Sequence, residues 1–366
     1  MRPKTEDRRP KTEDRRPKTE DRRPLAVCRA GYFITGFLVG LSFLLPASYG
    51  FTEVSQDWTL DSDFSGSLQI TGVKCTQYPA INLNGHKLTL DPQGIVINET
   101  TTPVIYGGTL TSNHTEVIFK FHGDPLIQGS YPEIDAVIAD NHQSVGLTIF
   151  GPGNGAVQLT GNQSNTFTGN VRITGSHVGL VLRKSNGAIA VRSDLYVEDQ
   201  ALLRFAQSNQ IIKTSKVTLA KNGRLQVLDI FGGNISNTFR SLSIVDNGIL
   251  DFNHREGSSQ NSEYHIYLED LIIGEGRHLE IQDWQDGRDF LLVKKTSMHL
   301  ADALKSINFS GYDPNNIHLE DFNSEYWAIS AAPEPATYSV ILGAVGIGLW
   351  GWRRKRRRAA NETSVK

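Results

Sequence analysis

Pairs of apolar residues spaced two apart recur eight residues later along the middle of this chain. Leu195 and Val197 are followed by Leu203 and Phe205, Val217 and Leu219 by Leu225 and Val227. Leu242 and Ile244 lead to Leu250 and Phe252, and Leu271 and Ile273 to Leu279 and Ile281. Lys221-Asn222-Gly223, Asp246-Asn247-Gly248 and Gly274-Glu275-Gly276 lie between the pairs of the last three modules. Val171, Ile173, Leu180 and Leu182 form a variant with one extra residue, and Ile81, Leu83, Leu88 and Leu90 a shorter one around Asn84-Gly85. Alternation with period two is the pattern of a strand with one buried face. A strand of three or four residues buries only two side chains and cannot stand alone.

The modules start at 171, 195, 217, 242 and 271, steps of 24, 22, 25 and 29 residues. Steps of that size suit the coils of a solenoid, in which stacking turns isolated pairs into continuous columns. Asn-Gly supplies the positive φ that sharp corners need. The same dipeptide also makes hairpin turns, so an antiparallel sandwich is the competing reading. The expected fold is all-β, a right-handed parallel β-helix, with Val197, Leu219 and Ile244 facing the interior. The strands up to about Tyr131 are expected to form a cap or an irregular start. The best helical candidate is short, Met298 to Ile307, with Leu300, Ala303, Leu304 and Ile307 on one face.

The stretch Asn165 to Leu182, NTFTGNVRITGSHVGLVL, resembles the autotransporter-associated β-strand repeat, in which Asn-Thr-aromatic-Thr-Gly leads into strand, turn and strand. The resemblance covers one clear copy and degenerate copies to about Ile281. Autotransporters end in a membrane barrel of many strands of about ten residues. Only some fifty residues separate the last module from Ala332, so no such barrel fits here.

The N-terminal end begins with three perfect copies of Arg-Pro-Lys-Thr-Glu-Asp-Arg, Arg2 to Arg22. They carry no apolar residue to bury and a proline every seventh position, so disorder is expected. They read either as a polyampholyte arm or as a translated tandem DNA repeat ahead of the true start. Arg29 then precedes an apolar run, Ala30 to Leu45, followed by Pro46-Ala47-Ser48-Tyr49-Gly50. A basic flank, an apolar middle and small residues describe a secretory signal peptide, with cleavage expected between Gly50 and Phe51. A signal anchor is the alternative. Of the two cysteines, Cys28 falls in this segment, which leaves Cys75 alone and no disulfide framework.

At the other end, Tyr338 to Trp352 is apolar and glycine-containing, and six basic residues follow: Arg353, Arg354, Lys355, Arg356, Arg357 and Arg358. As helix it spans about 22 Å, and counting from Ala336 with Trp350 and Trp352 at the interface makes a membrane span. The basic cluster is expected to stop at the cytoplasmic side, which agrees with an exported body. Pro333, Glu334 and Pro335 hold the backbone extended just before the span. Together these features resemble the PEP-CTERM sorting signal. The resemblance implies processing by exosortase, a membrane-embedded protease or transpeptidase, near Pro333–Pro335. It also implies a Gram-negative host and a fate at the cell surface or in extracellular polysaccharide.

The domain plan that follows is repeats (1–24), signal peptide (25–50), an N-terminal β region or cap (51–131), β-helix repeats (132–290), a β and short-helix region with linker (291–332), the sorting signal (333–358) and a tail (359–366). A formal net charge of −2 gives no field for nucleic acid as a partner. No cofactor is expected: His-Glu-x-x-His, Gly-x-Ser-x-Gly and the Asp-x-Asp-x-Asp-Gly calcium loop are all absent. The densest acidic group is Asp283, Asp286 and Asp289 around Trp284, a sugar or metal site or simply a solvated loop. The expected function is non-enzymatic: an exported adhesin, or a structural protein associated with exopolysaccharide and biofilm, with exosortase as sorting partner. A β-helix polysaccharide lyase or glycoside hydrolase is the alternative.

Overall fold

A computed structural model describes residues 51–70, 79–98, 102–122, 129–228, 233–254 and 262–333. The N-terminal repeats expected to be disordered, the expected signal peptide with Gly50, both cysteines, the expected span 338–352 and the basic cluster lie outside the described residues. Among the described residues no helix is long and apolar enough to cross a membrane.

The apolar pairs do form columns. Val171, Leu195, Val217, Leu242 and Leu271 stand in register on successive parallel strands, as do Ile173, Val197, Leu219, Ile244 and Ile273. Leu180, Leu203, Leu225, Leu250 and Ile281 align in the same way on a second sheet. All of these are buried except Ile273, which is half-buried. The corners therefore join strands of two different sheets, and the hairpin reading is excluded. The first sheet has 15 strands and the second 11 among the described residues. The chain is a parallel β-solenoid.

Parallel stacking also runs through the region expected to be a cap. Phe51–Val54 pairs with Phe64–Ile70, and Trp58–Thr59 with Ala80–Asn82, both parallel. The irregularity there is local. The long strand Lys87–Asn98 pairs with Thr109–Ser112 through one half and with Glu116–His122 through the other, so the first sheet forks. At the far end the helix is shorter than the periodicity suggests. Leu300–Ala303 is α-helical and Leu304–Ser306 is 3-10. Ile307 leaves the helix because it opens a strand that pairs with Leu279. No linker follows. Tyr326–Pro333 inserts antiparallel between Asp289–Lys294 and Tyr312–Asp321, and its last residue, Pro333, lies opposite Tyr312.

The third side of the coil is closed by buried amide side chains. Asn165 Oδ1 accepts from Ile138 N at 3.0 Å while its Nδ2 donates to Ala190 O at 2.8 Å, joining the coil before to the coil after. Asn237 makes both of its bonds to the preceding coil, accepting from Gln210 N and donating to Gln207 O. In both places the aromatic two residues on, Phe167 or Phe239, is fully buried. The Asn-Thr-Phe of the sequence is thus a staple and a core anchor. An amide can satisfy neighbouring backbones where no strand is available to do so.

Lys184 is a costly member of this interior. It is 1% exposed, and its Nζ donates to Thr160 O at 2.7 Å. Burial lowers its pKa from 10.5 to about 8, against a smaller opposing pull from Asp135. Between those two values the unfolded chain holds the proton and the folded chain does not, so stability rises with pH. The full cost is present below about 8 and gone above 10.5, a difference of about 3 kcal/mol. Urea unfolding of the wild type and of Lys184→Met across this window is the check. The wild type should gain stability that the variant does not.

Candidate functional site

The outward side chains of the second sheet form a groove along the solenoid axis. Its floor is one column in register: Ala156, Gly179, Leu202, Arg224, Ile249 and Glu280. One wall is the column two residues on, Gln158, Val181, Arg204, Gln226, Asp251 and Gln282. The opposite rim is a corner column. His177, Gln200 and Asn222 occupy equivalent places on three consecutive coils with φ of 70°, 65° and 62°. Left-handed backbone is uncommon for His and Gln and turns these side chains to one rim three times over.

The open part of the groove has a volume of about 620 Å³ and is lined by His177, Gln200, Leu202, Asn222, Arg224, Gln226, Ile249 and Glu280. A smaller hollow of about 170 Å³ shares His177, Gln200 and Leu202 with it and reaches Asn154 and the 40% exposed Tyr131. Strands lie about 4.8 Å apart, so the floor from Ala156 to Glu280 spans about 24 Å. At the N-terminal end the floor is bare backbone at Gly179, which carries no side chain. A Cβ there would stand 3.2 Å from both Ala156 Cβ and Leu202 O.

Charges in the groove are held by neighbours on adjacent coils. Asp251 Oδ2 accepts from Arg224 Nη1 at 2.9 Å and from Gln226 Nε2 at 2.6 Å. Gln226 Oε1 in turn accepts from Arg204 Nε. Asp251 is 1% exposed, and its Oδ1 is buried without a partner. Burial pushes its carboxyl above the usual range, outweighing the hydrogen bonds from Gln226 and Arg224. Glu280 moves the other way, because Gln282 Nε2 and Ser310 Oγ both donate to its Oε1. The Arg224 side chain makes no other hydrogen bond among the described residues and is 36% exposed.

The acidic group expected around Trp284 does not converge. Asp283 and Asp286 are exposed, whereas Asp289 is 1% exposed. Asp289 accepts from His254 Nε2, with both carboxylate oxygens at 2.9 Å, and from Gln285 N at 2.6 Å. Burial raises its pKa, with the His254 hydrogen bond opposing. The His254 ring stacks on Tyr264, centroids 4.7 Å apart. With the two side chains 7% and 0% exposed, no substrate reaches the pair, so it clamps two coils together. No cluster of metal-ligating side chains occurs among the described residues.

The expected processing sites fall at the two ends of the solenoid. Phe51 is the first described residue and opens the first strand, 39% exposed. Pro333 is the last residue of the final strand. Glu334, Pro335 and Arg353 to Arg358 lie outside the described residues. Comparison with protein families decides what this end is. Residues 331–357 match the PEP-CTERM protein-sorting motif. The PEP-CTERM motif therefore begins inside the antiparallel strand, at Ala331, and its first proline is part of the sheet. Neither a curated protein nor a solved structure matches the chain. The motif marks the chain as exported and makes exosortase its sorting partner.

Nothing in the sequence pointed to the groove, because its residues lie 22 to 31 positions apart along the chain. Only the register brings them together.

Proposed function

We propose that this chain is an exported, exosortase-sorted protein of the cell surface or extracellular matrix, acting as an adhesin or structural component in biofilm exopolysaccharide. The observation that carries the reading is the PEP-CTERM motif continuous with the last strand of the solenoid. Signal peptidase would cut between Gly50 and Phe51 and leave the solenoid's first strand at the new N-terminus. The span 338–352 would hold the exported body at the inner membrane, with Arg353 to Arg358 on the cytoplasmic side. Exosortase would then cut near Pro333–Pro335 and pass the body outward. The coils, similar in sequence to autotransporter-associated repeats, are the scaffold, and the polar groove is the binding surface.

A second reading, cleavage of the bound glycan, draws on Asp251 and Glu280. They sit diagonally on neighbouring strands with pKa values shifted in opposite directions, a pattern of acid and base pairs. Asp251 is too deeply buried to meet a substrate, which favours binding. Fractionating a host with and without its exosortase tests the sorting reading. The protein should move from the membrane fraction to the matrix only when the enzyme is present. Equal release in both strains would overturn it.

A further inference from the structure

We infer that the groove on the second sheet is a binding site for an acidic, uronate-bearing glycan, laid along the solenoid axis with one sugar per coil and a carboxylate on Arg224. This rests on the polysaccharide reading above and names the site and the ligand class.

Three observations lead there. The first is shape. An open trough about 24 Å long suits a linear polymer and not a compact apolar ligand, which would be enclosed. The second is repeat. Three consecutive coils present the same three columns at the strand spacing, and an extended sugar residue has about the same length as that spacing. His177, Gln200 and Asn222 therefore offer a hydrogen-bonding side chain at each step along one rim, matched to the hydroxyls of successive sugars.

The third is the state of Arg224. Asp251 binds only its Nη1, and the guanidinium, which lines the groove, makes no other hydrogen bond among the described residues. A planar fork held in this way matches a carboxylate in two-point contact. Asp251 is a positioning residue here, since it lies beneath the surface and orients both Arg224 and Gln226. Glu280, two strands from Arg224, would accept from sugar hydroxyls and repel a second carboxylate at that step. That fixes which sugar in the chain carries the charge opposite Arg224.

The test is calorimetric binding of the full chain to oligogalacturonides of graded length, with neutral cello-oligosaccharides of matching length as control. Affinity for the acidic series should rise with length until the groove is filled, should weaken with added salt, and should exceed that for the neutral series. Arg224→Gln should lower affinity for the acidic series about tenfold and for the neutral series far less. Arg224→Lys keeps the charge without the fork and should fall between, and far-UV circular dichroism checks that both variants fold. Equal binding of acidic and neutral glycans, or an unaffected Arg224→Gln, would overturn the proposal. Failure to bind either series in a chain that still reaches the matrix would sink the groove and leave the sorting reading standing.

Discussion

Leu219→Asp is expected to unfold the solenoid, while Thr218→Asp, one residue earlier, is expected to leave it intact. Leu219 is fully buried in a column between Val197 on one coil and Ile244 on the next. A carboxylate there has no partner, and apolar side chains surround it. Leaving it charged costs several kcal/mol, and protonating it costs most of that back through the raised pKa. The loss of the leucine's own burial adds about 3 kcal/mol. The sum approaches the whole stability of an ordinary domain. Thr218 points the other way on the same strand, beside Tyr196 and Ser243, and is only half-buried. Its replacement should cost less than about 1 kcal/mol. Chemical unfolding followed by far-UV circular dichroism distinguishes the two. Similar losses in both would mean that the inward and outward phases of the strand have been misassigned.

That phase was readable from residue types alone because the columns repeat it. One misplaced residue would turn every side chain on a strand to the wrong face. The pairs at 195 and 197, 217 and 219, and 242 and 244 agree with one another from coil to coil, so the register was overdetermined. The corners themselves were less legible. At Lys221-Asn222-Gly223 the positive φ values belong to Lys221 and Asn222, not to the glycine. Gly223 is needed because a Cβ there would stand 2.2 Å from Val197 O of the preceding coil. At Asp246-Asn247-Gly248 no residue has positive φ, and the glycine again makes room, here against Leu219 Cβ at 2.9 Å. A glycine in a sequence does not say which of its two properties is in use.

The candidate sites were legible in inverse proportion to the register they needed. Pro333 to Arg358 is a continuous string, so its chemistry can be read in order. Asp283, Asp286 and Asp289 also form a string, but the turn between two strands separates them: two face water and the third, which opens a strand, is drawn inside by His254, 35 residues earlier. The groove needs six coils aligned to within one residue. Coil lengths vary with the loops on the third side, and spacing alone does not reveal which residues of those loops are extra.

A chain ending after Pro335 is expected to keep the stability of the full protein, and one ending after Glu325 is expected to aggregate. The strand Tyr326–Pro333 lies between two others and is not an edge. Ile329 is 1% exposed and sits between Leu291 and Leu319, and Ala331 is 3% exposed. Removing the strand would leave Asp289–Lys294 with open hydrogen-bonding groups along Leu291 to Val293, a template for pairing with other chains. It would also strip the only partner of Tyr312–Asp321 among the described strands. Antiparallel pairing here ends the stack, since the outermost strand is short of apolar residues and largely exposed, which discourages a further parallel coil. The same geometry constrains processing. A cut upstream of Ala331 would pull a central strand out of the sheet, so the exported form should end at Pro333 or within the next two residues. Mass spectrometry of the extracellular protein reads this directly. The expected mass lacks Arg353 to Arg358 and retains Ile329 and Ala331. Glu334→Ala should slow the cut severalfold while leaving thermal unfolding unchanged. Recovery of a mature form that still carries the basic cluster, or one that stops before Tyr326, would refute the coupling between the last strand and the sorting signal.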